Sequence, residues 1–538
     1  MTEVHVSTVP GGAAVAERTY TLSGYPWEPL KKGLPKTTQS LCPQCLKVIP
    51  AELYEEGGKV LMRKSCPEHG ECRDIYWGDA GMYLRNERWT FDTGCGLSNP
   101  NVAGEVSCPT SCGLCGMHLN HTVLGNIDLT NRCNLTCPIC FANANVTGYV
   151  CEPSLDQVRE MLQAYRNERP VAGRIVQFSG GEPTLHPQFH DVLRLAARMG
   201  FSHIQAASNG ISFADPEFAM QAKEAGLHTI YLQFDGLDDA IYRVTRGQPL
   251  LDVKMKAVEN IRRAGMKIAL VSTIVRGVND GAVGDILRFA IANADVIAGI
   301  SYQPVCFTGR ISHQERMQKR ITLPDVMIGL EQQTGIVRRD DFYPLSFVSP
   351  FSKFIGALRG EEITNFTCHP HCTLCTYLVV DDEGKAVPMS RFIDVGGLVT
   401  DMYRLAGKTA KSRFKSFAKI RAWNALRKHY HEDRAPRGLS FSRYLHTLNG
   451  MLDKQVGRAK NARTFRTLMV GGMHFMDSYN YDLARVRRCV IHFSTPDGKL
   501  YPFCSYNSGP CYRQRVERAH SVPKEEWMQV DGYERCFR

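Results

Sequence analysis

The sequence lacks several things that would have placed it quickly. It holds no uninterrupted apolar run of about 18 or more residues, so no membrane-spanning helix is expected. Met1 to Ala14 lacks a basic segment followed by an apolar core, so no secretory signal is expected. There is no repeat and no low-complexity tract. With 43% hydrophobic and 22% charged residues among 538, the chain is globular rather than disordered. At about 150 residues per domain it has room for three or four domains.

What is abundant is cysteine. The chain has 20, and eleven of them lie between Cys42 and Cys140. Disulfide frameworks belong to short secreted chains. Close C-x2-C and C-x3-C spacings in a long chain without an export signal point instead to metal thiolates in a reducing compartment. A cytoplasmic location follows as an expectation. The net charge of +11 fits nucleic acid, an anionic membrane or an anionic substrate without choosing among them.

Residues 124–303 alternate β-branched apolar runs with helical patterns. Strands are predicted at Leu124–Leu129, Arg174–Phe178, His203–Ala207, Thr229–Asp235, Lys267–Ile274 and Val296–Gln303. Helices are predicted to begin near Ser154, Pro187, Pro216, Leu251 and Gly281. Ser154 and Gln157 fit a capping box, and Gly200, Gly226 and Gly265 stand where a left-handed C-terminal residue is wanted. Parallel βα units follow, as a barrel or an open sheet, with chemistry at the C-terminal strand ends.

Directly after the first strand comes Cys133-x3-Cys137-x2-Cys140-Phe141. Three thiolates at this spacing can hold three irons of a four-iron cluster and leave the fourth open. Zinc, or a structural cluster with a distant fourth ligand, fits the spacing as well. Downstream, the second strand ends in Gly180-Gly181-Glu182-Pro183, the third in Ser208-Asn209-Gly210 and the fourth in Gln233-Phe234-Asp235-Gly236. The cysteine triplet followed by GGEP resembles the radical S-adenosylmethionine (SAM) superfamily over about residues 124–303. The resemblance implies an α/β partial (β/α)6 barrel in which Cys133, Cys137 and Cys140 ligate a [4Fe-4S] cluster. SAM would chelate the open iron, with Gly180, Gly181, Glu182 and Pro183 lining its methionyl amine. Ser208, Asn209, Gln233 and Asp235 are candidates for its ribose and methionyl contacts, or else ordinary turn residues. An electron donor such as ferredoxin or flavodoxin is implied.

Three further groups flank this core. Cys42-x2-Cys45 with Cys66-x2-His69-x2-Cys72 reads as a knuckle pair for one mononuclear iron or zinc, with His69 or Cys72 as fourth ligand. Cys95 with Cys108-x3-Cys112-x2-Cys115, and Cys368-x3-Cys372-x2-Cys375, each suggest an auxiliary [4Fe-4S] cluster. Cys504 is the favoured fourth ligand of the latter, with Cys489 and Cys511 as rivals. Cys151, Cys306 and Cys536 read as ordinary thiols. The organisation expected is an arm at 1–40, a rubredoxin-like or zinc-ribbon-like domain at 41–90 and an auxiliary cluster segment at 91–123. The core barrel follows at 124–335, and a C-terminal auxiliary cluster domain at 336–538 carries a basic helical insertion near 401–466.

The layout, with phrases such as Cys66-Pro-Glu-His-Gly, Thr130-Asn-Arg-Cys-Asn-Leu and Cys137-Pro-Ile-Cys-Phe-Ala, resembles the tetraether lipid synthase family over most of residues 40–510. That family was formerly assigned as a dihydropterin C-methyltransferase. The resemblance implies lipid biosynthesis: radical carbon–carbon joining of hydrocarbon tails. The alternative is a radical SAM C-methyltransferase on a pterin-like substrate, for which no cobalamin domain is visible. A non-enzymatic multi-zinc scaffold is the third reading. Phe414, Phe417, Ile420 and Trp423 recur every third residue among Lys411, Arg413, Lys415, Lys419 and Arg421. This stripe reads either as a helix face turned into the core or as a peripheral contact with an anionic membrane. No nucleic-acid recognition fold accompanies it.

Overall fold

The computed structural model describes residues 4–8, 14–18, 30–91, 94–102, 106–309, 311, 314, 316–412, 415–452 and 465–529. Cys536, Arg413 and Phe414 lie outside them. Val4–Thr8 and Ala14–Arg18 form a small antiparallel pair.

A four-stranded antiparallel meander follows: β1 (Lys36–Leu41), β2 (Val48–Glu56), β3 (Lys59–Cys66) and β4 (Gly70–Trp77). In β3, Met62, Lys64 and Cys66 are buried while Arg63 and Ser65 between them are exposed, the alternation of a one-sided sheet; Val60 and Leu61 before them are both buried. The loop joining β1 to β2 carries Cys42 and Cys45, and the turn joining β3 to β4 carries Cys66 and His69.

The centre is a parallel sheet built from β5 (Leu124–Thr130), β6 (Ile175–Gly180), β7 (His203–Ser208), β8 (Thr229–Gln233), β9 (Lys267–Ile274) and β10 (Ile297–Pro304), adjacent in that order. Between them run α1 (Leu155–Asn167), α2 (Phe189–Arg198), α3 (Pro216–Glu224), α4 (Asp239–Arg246), α5 (Leu251–Arg263) and α6 (Val283–Ala292). The predicted strands hold to within one or two residues, since each is marked by apolar residues that the fold buries. Ile127, Phe178, Ile204, Ile230, Ile268 and Ile300 are fully buried along this sheet. The Ser154–Gln157 capping box forms with both reciprocal bonds, and Gly200, Gly226 and Gly265 all take positive φ. This is the α/β core that the resemblance implied, with a Cys-rich zinc-ribbon-like region before it and further strands and helices after it.

The C-terminal part continues the core sheet on both edges. β11 (Thr373–Val380) pairs antiparallel with β12 (Arg466–Met473), which lies parallel beside β10. At the other edge β13 (Ile491–Ser494) lies parallel beside β5 and is followed by the short antiparallel β14 (Leu500–Pro502). Residues 474–490 therefore link the strand at one edge of the sheet to the strand at the other.

Helices α7 (Val395–Ala410) and α8 (Ser416–Lys428) form most of the basic insertion. The face of α8 turned inward carries Ala418 and Ala422, while Phe417, Ile420 and Trp423 are 61%, 59% and 47% exposed. The core reading of this stripe does not hold: small residues let the helix approach its neighbours closely, and the large ones are left outside. Among the described residues no helix is long and apolar enough to cross a membrane.

Candidate active site at the mouth of the parallel sheet

The loop after β5 carries Cys133, Cys137 and Cys140. Its position is set by the backbone of the GGEP segment. Gly181 N–H donates to the Thr130 carbonyl at 2.7 Å and Glu182 N–H to the Arg132 carbonyl at 2.8 Å. A Cβ on Gly180, where φ is +132°, would stand 2.1 Å from the Thr130 oxygen, and one on Gly181 would stand 2.1 Å from the Arg132 oxygen. Both residues must be glycine for the two segments to lie this close.

Glu182 is buried and fully engaged. Its carboxylate accepts from the Asn209 amide at 2.8 Å and from the Thr184 hydroxyl at 2.7 Å. Burial nevertheless pushes its pKa up. Pro183 opens the short helical turn that follows. Ser208 accepts from the Gly210 amide. Asn209 sends its side-chain amide to Asn134 at 2.7 Å and towards the Cys133 sulfur at 3.9 Å. Strand β6 and strand β7 thus both reach the cysteine loop.

Asp235 is held by Arg246 through two bonds of 2.7 and 3.0 Å. Burial opposes its ionisation, yet the guanidinium keeps it below the usual carboxylate range. Arg246 also donates to the Cys137 sulfur. Gln233 accepts from Lys254 at 2.8 Å, and Lys254 also donates to the Asn209 carbonyl. Burial lowers Lys254 to about 7, with Arg246 adding to the shift. Sequence reasoning missed Arg246, Lys254 and Arg132. Arg132 pairs with Glu152 and lies 4.4 Å over the Trp527 ring. Only the Asn-Arg-Cys phrase marks Arg132 locally; Arg246 and Lys254 sit in ordinary amphipathic helices with no spacing signal.

The three loop thiols interact with one another. Burial, then the Glu182 charge, pushes Cys133 up to about 12, with Cys137 and Cys140 adding to it. Burial also raises Cys137, against the pull of Arg246. Three mutually close thiols facing an amide and a guanidinium suit an anionic iron–sulfur cluster. Phe141 leaves the loop to pack 5.5 Å from Phe503, which stacks on Phe475 at 4.1 Å.

In the ribbon, Cys42, Cys45, Cys66 and His69 place one donor atom each within 4.8 Å of the others. His69 Nδ1 is 3.6 Å from the Cys42 sulfur and 3.5 Å from that of Cys66. Cys72 stands outside this set, on β4 opposite Lys64. The donors fit one tetrahedral ion.

Of the remaining groups, Cys108, Cys112 and Cys115 line a common small cavity. Cys95 is elsewhere, with its sulfur 3.2 Å from His121 Nδ1. In the third group Cys368 lies near Cys372, Cys489 and Cys375, and Cys489 lies near Cys504 and Cys372. Cys504 and the rival Cys489 are both at hand, and Arg485 donates to the Cys372 sulfur at 3.4 Å. Cys511 begins the helix Tyr512–Ala519 from a left-handed conformation. Cys306 donates to the Met476 carbonyl, and Cys151 lines a small cavity with Asp128 and Glu517.

A sequence model described as the radical SAM superfamily matches residues 127–290. Another, described as the HMPTM N-terminal zinc ribbon domain, matches residues 34–78. The protein is a radical SAM, iron–sulfur-dependent enzyme, and it uses SAM and an external electron donor. It is 43% identical over 500 residues, 92% of this chain and 97% of the other, to the 7,8-dihydro-6-hydroxymethylpterin dimethyltransferase of Methanocaldococcus jannaschii. The chain belongs to the family of that dimethyltransferase. More distant likenesses include the GTP 3′,8-cyclase of Pseudomonas putida, 27% identical over 48% of this chain and 76% of the other. The AdoMet-dependent heme synthase of Nitratidesulfovibrio vulgaris is 27% identical over 28% of this chain and 40% of the other.

The full-length relative corrects the lipid reading. The assignment to the tetraether lipid synthase family, and with it lipid biosynthesis and the joining of hydrocarbon tails, is overturned by near end-to-end identity to a pterin dimethyltransferase. The metal-group layout that suggested lipid chemistry describes how clusters are held. It contains nothing about the surface that meets the substrate.

Proposed function

We propose that this enzyme is a radical SAM methyltransferase acting on a reduced pterin. The observation that carries the reading is identity to the pterin dimethyltransferase across 97% of that protein's length. When bound, a reduced four-iron cluster and SAM supply homolytic cleavage to methionine and a 5′-deoxyadenosyl radical. Cys133, Cys137 and Cys140 present the three thiolates. The Gly180–Pro183 backbone fixes their loop and lines the methionyl amine. Ser208, Asn209, Gln233 and Asp235 face the same mouth and contact ribose and methionyl groups, with Arg246 and Lys254 holding the latter three in place.

Methyl transfer also needs a methyl donor. Anaerobic turnover with SAM, a reductant and 7,8-dihydro-6-hydroxymethylpterin should yield 5′-deoxyadenosine together with methylated pterin. S-adenosylhomocysteine formed once per methyl group would mark SAM as the donor. Cleavage of SAM with no methylated pterin would overturn the substrate assignment.

The accessory metals belong to the same reading. Cys42, Cys45, Cys66 and His69 hold one iron or zinc. Cys108, Cys112 and Cys115 hold one auxiliary [4Fe-4S] cluster, and Cys368, Cys372 and Cys375 with Cys504 or Cys489 hold another. Ferredoxin or flavodoxin supplies electrons, in the cytoplasm. The exposed stripe of α8, flanked by Lys419, Arg421 and Arg427, supports peripheral contact with an anionic membrane. Co-flotation with vesicles of anionic lipid, lost in Phe417→Ser/Trp423→Ser, tests it; equal flotation of that variant would overturn it.

A further inference from the structure

The link 474–490 aims two donors at the third cysteine group. Arg485 Nε donates to the Cys372 sulfur at 3.4 Å, and the Met476 amide donates to the Cys504 sulfur at 3.5 Å. The His474 amide ties the link to the Cys372 carbonyl at 2.8 Å. Arg485 is 1% exposed, and its Nη2 donates to the His474 carbonyl. Its Nη1 is buried with no partner among the described residues. A buried guanidinium with an unmet donor is costly. The sulfurs of an anionic cluster beside Cys372 would meet it, because they accept hydrogen bonds.

The ribbon holds this arginine in place. Arg485 lies in the short helix Leu483–Val486, capped by Asp482, whose carboxylate accepts from the Ala484 amide at 2.9 Å. The same carboxylate accepts from the Thr38 hydroxyl of β1 and from the Tyr76 hydroxyl of β4, each at 2.7 Å. Ser40 gives its hydroxyl to the Tyr481 carbonyl at 2.6 Å, and Lys64 donates to the Ser478 carbonyl at 2.8 Å. Ser40 and Lys64 stand two residues before Cys42 and Cys66. The strands that lead into the ribbon's metal donors therefore grip the segment that carries Arg485. A second tie runs through the buried Arg320, which donates to Asp74 of β4 at 2.9 Å and to Asp477 of the link at 2.6 Å.

We infer that Arg485 sets the reduction potential of an iron–sulfur cluster at Cys368, Cys372 and Cys375, and that the ribbon is the clamp that positions it. This rests on the reading that those cysteines hold such a cluster. A cluster gains one negative charge when it takes up an electron. A fixed cation and N–H donors at its sulfurs favour that state and raise the potential. Arg485 supplies both from one side chain, and the rigid fork of the guanidinium fixes their direction. Thr38 and Tyr76 act on it through Asp482, as positioning residues. The ribbon's ion then matters to the cluster without exchanging electrons with it, because it braces β1 and β3 where they hold the link.

The test is an EPR-monitored redox titration of full-length protein carrying Cys133→Ala, Cys137→Ala and Cys140→Ala, reconstituted with iron and sulfide. The signal followed is the one that vanishes on adding Cys368→Ala/Cys372→Ala/Cys375→Ala. Arg485→Gln should lower its midpoint by at least about 59 mV, a tenfold fall in the reduced-to-oxidised ratio for one electron. Thr38→Val/Tyr76→Phe should lower it by less, with ribbon metal, iron and sulfide per chain unchanged. Lys47→Gln/Arg63→Gln, on exposed ribbon side chains, should leave it where it was. If Arg485→Gln loses its iron and sulfide, Arg485→Lys replaces it and should still lower the midpoint, since lysine cannot present the fork. An unmoved midpoint in the Arg485 variant would overturn its role. An unmoved midpoint in Thr38→Val/Tyr76→Phe, or an equal shift in Lys47→Gln/Arg63→Gln, would overturn the clamp. The cluster reading fails separately, if Cys368→Ala/Cys372→Ala/Cys375→Ala retains the same iron, sulfide and signals.

Discussion

The ribbon and the loop after β5 each offer three cysteines, and burial weighs differently on them: Cys42 and Cys66 of the ribbon are lowered, Cys133 and Cys137 of the loop are raised. In the ribbon the sulfurs of Cys45 and Cys66 are 3.8 Å apart, and hydrogen bonding from His69 holds the Cys66 thiol below its ordinary range. Burial pushes Cys42 the other way, but the backbone amides of Cys45 and Gln44 outweigh it. In the loop, burial dominates and Cys133 is pushed up to about 12. The ribbon is a preformed grip for a single ion. Cys133 and Cys137 of the loop keep their protons until a larger group displaces them, and the loop's shape is held by contacts from the segments after β6 and β7.

The largest expected effects separate the two regions. Cys137→Ala should abolish 5′-deoxyadenosine formation and leave one ion per chain in the ribbon. His69→Ala should do the reverse, weakening ribbon metal affinity by at least about 100-fold, since even partners of a ligand are worth about 10–100-fold. Metal analysis beside a SAM-cleavage assay checks both. Loss of SAM cleavage in His69→Ala matching that in Cys137→Ala would erase the distinction.

Glycines sharpen the contrast by a smaller amount. Gly181→Ala forces a Cβ against the Arg132 carbonyl, and its cost should exceed the roughly 1–3 kcal/mol of ordinary backbone strain. Gly70→Ala in the ribbon meets open space at φ +74°, and should cost only about 1–2 kcal/mol for the left-handed conformation. Urea unfolding of both variants under anaerobic conditions gives the comparison.

How far these regions could be read in advance follows from the same physics. The core strands were legible because each carries buried apolar residues such as Ile127, Phe178, Ile204 and Ile230 and several are preceded by glycine caps, as at Gly200 and Gly226. Helix α4 was not: at eight residues, capped by Asp238 just after the Asp235-Gly236 turn, it is too short for its pattern to stand out. The pairing of β12 with β10 and of β13 with β5 joins segments that are far apart in sequence, and no local pattern encodes it. In the ribbon the C-x2-C and C-x2-H spacings identified the donor set, but choosing His69 over Cys72 needed the direction of β4. On α8 the period of the apolar stripe was visible and its orientation was not, because Ala418 and Ala422 decide it. Lys254 looks like any helical lysine until its burial against Asn209 and Gln233 is seen.

The smallest effect compares two buried lysines, one in each region. Burial lowers Lys64 of the ribbon to about 8, partly restored by Cys72 and Asp477; burial and then Arg246 lower Lys254 to about 7. An unfolded lysine keeps its proton up to about 10.5. Above about 7 the unfolded chain therefore binds more protons than the folded one at Lys254, and stability rises with pH until 10.5 is passed. The slope for one group is at most about 1.4 kcal/mol per pH unit. Lys254→Met should remove that rise from pH 7 upward, and Lys64→Met only from about pH 8. The two differ in function as well: Lys254 holds Asn209 and Gln233, so its loss should raise the KM for SAM. Lys64 binds Ser40 and the Ser478 carbonyl, and its loss should leave that KM alone. Equal KM values for both variants would show that Lys254 is a structural lysine like its counterpart, and that the polar wall of the mouth holds its shape without it.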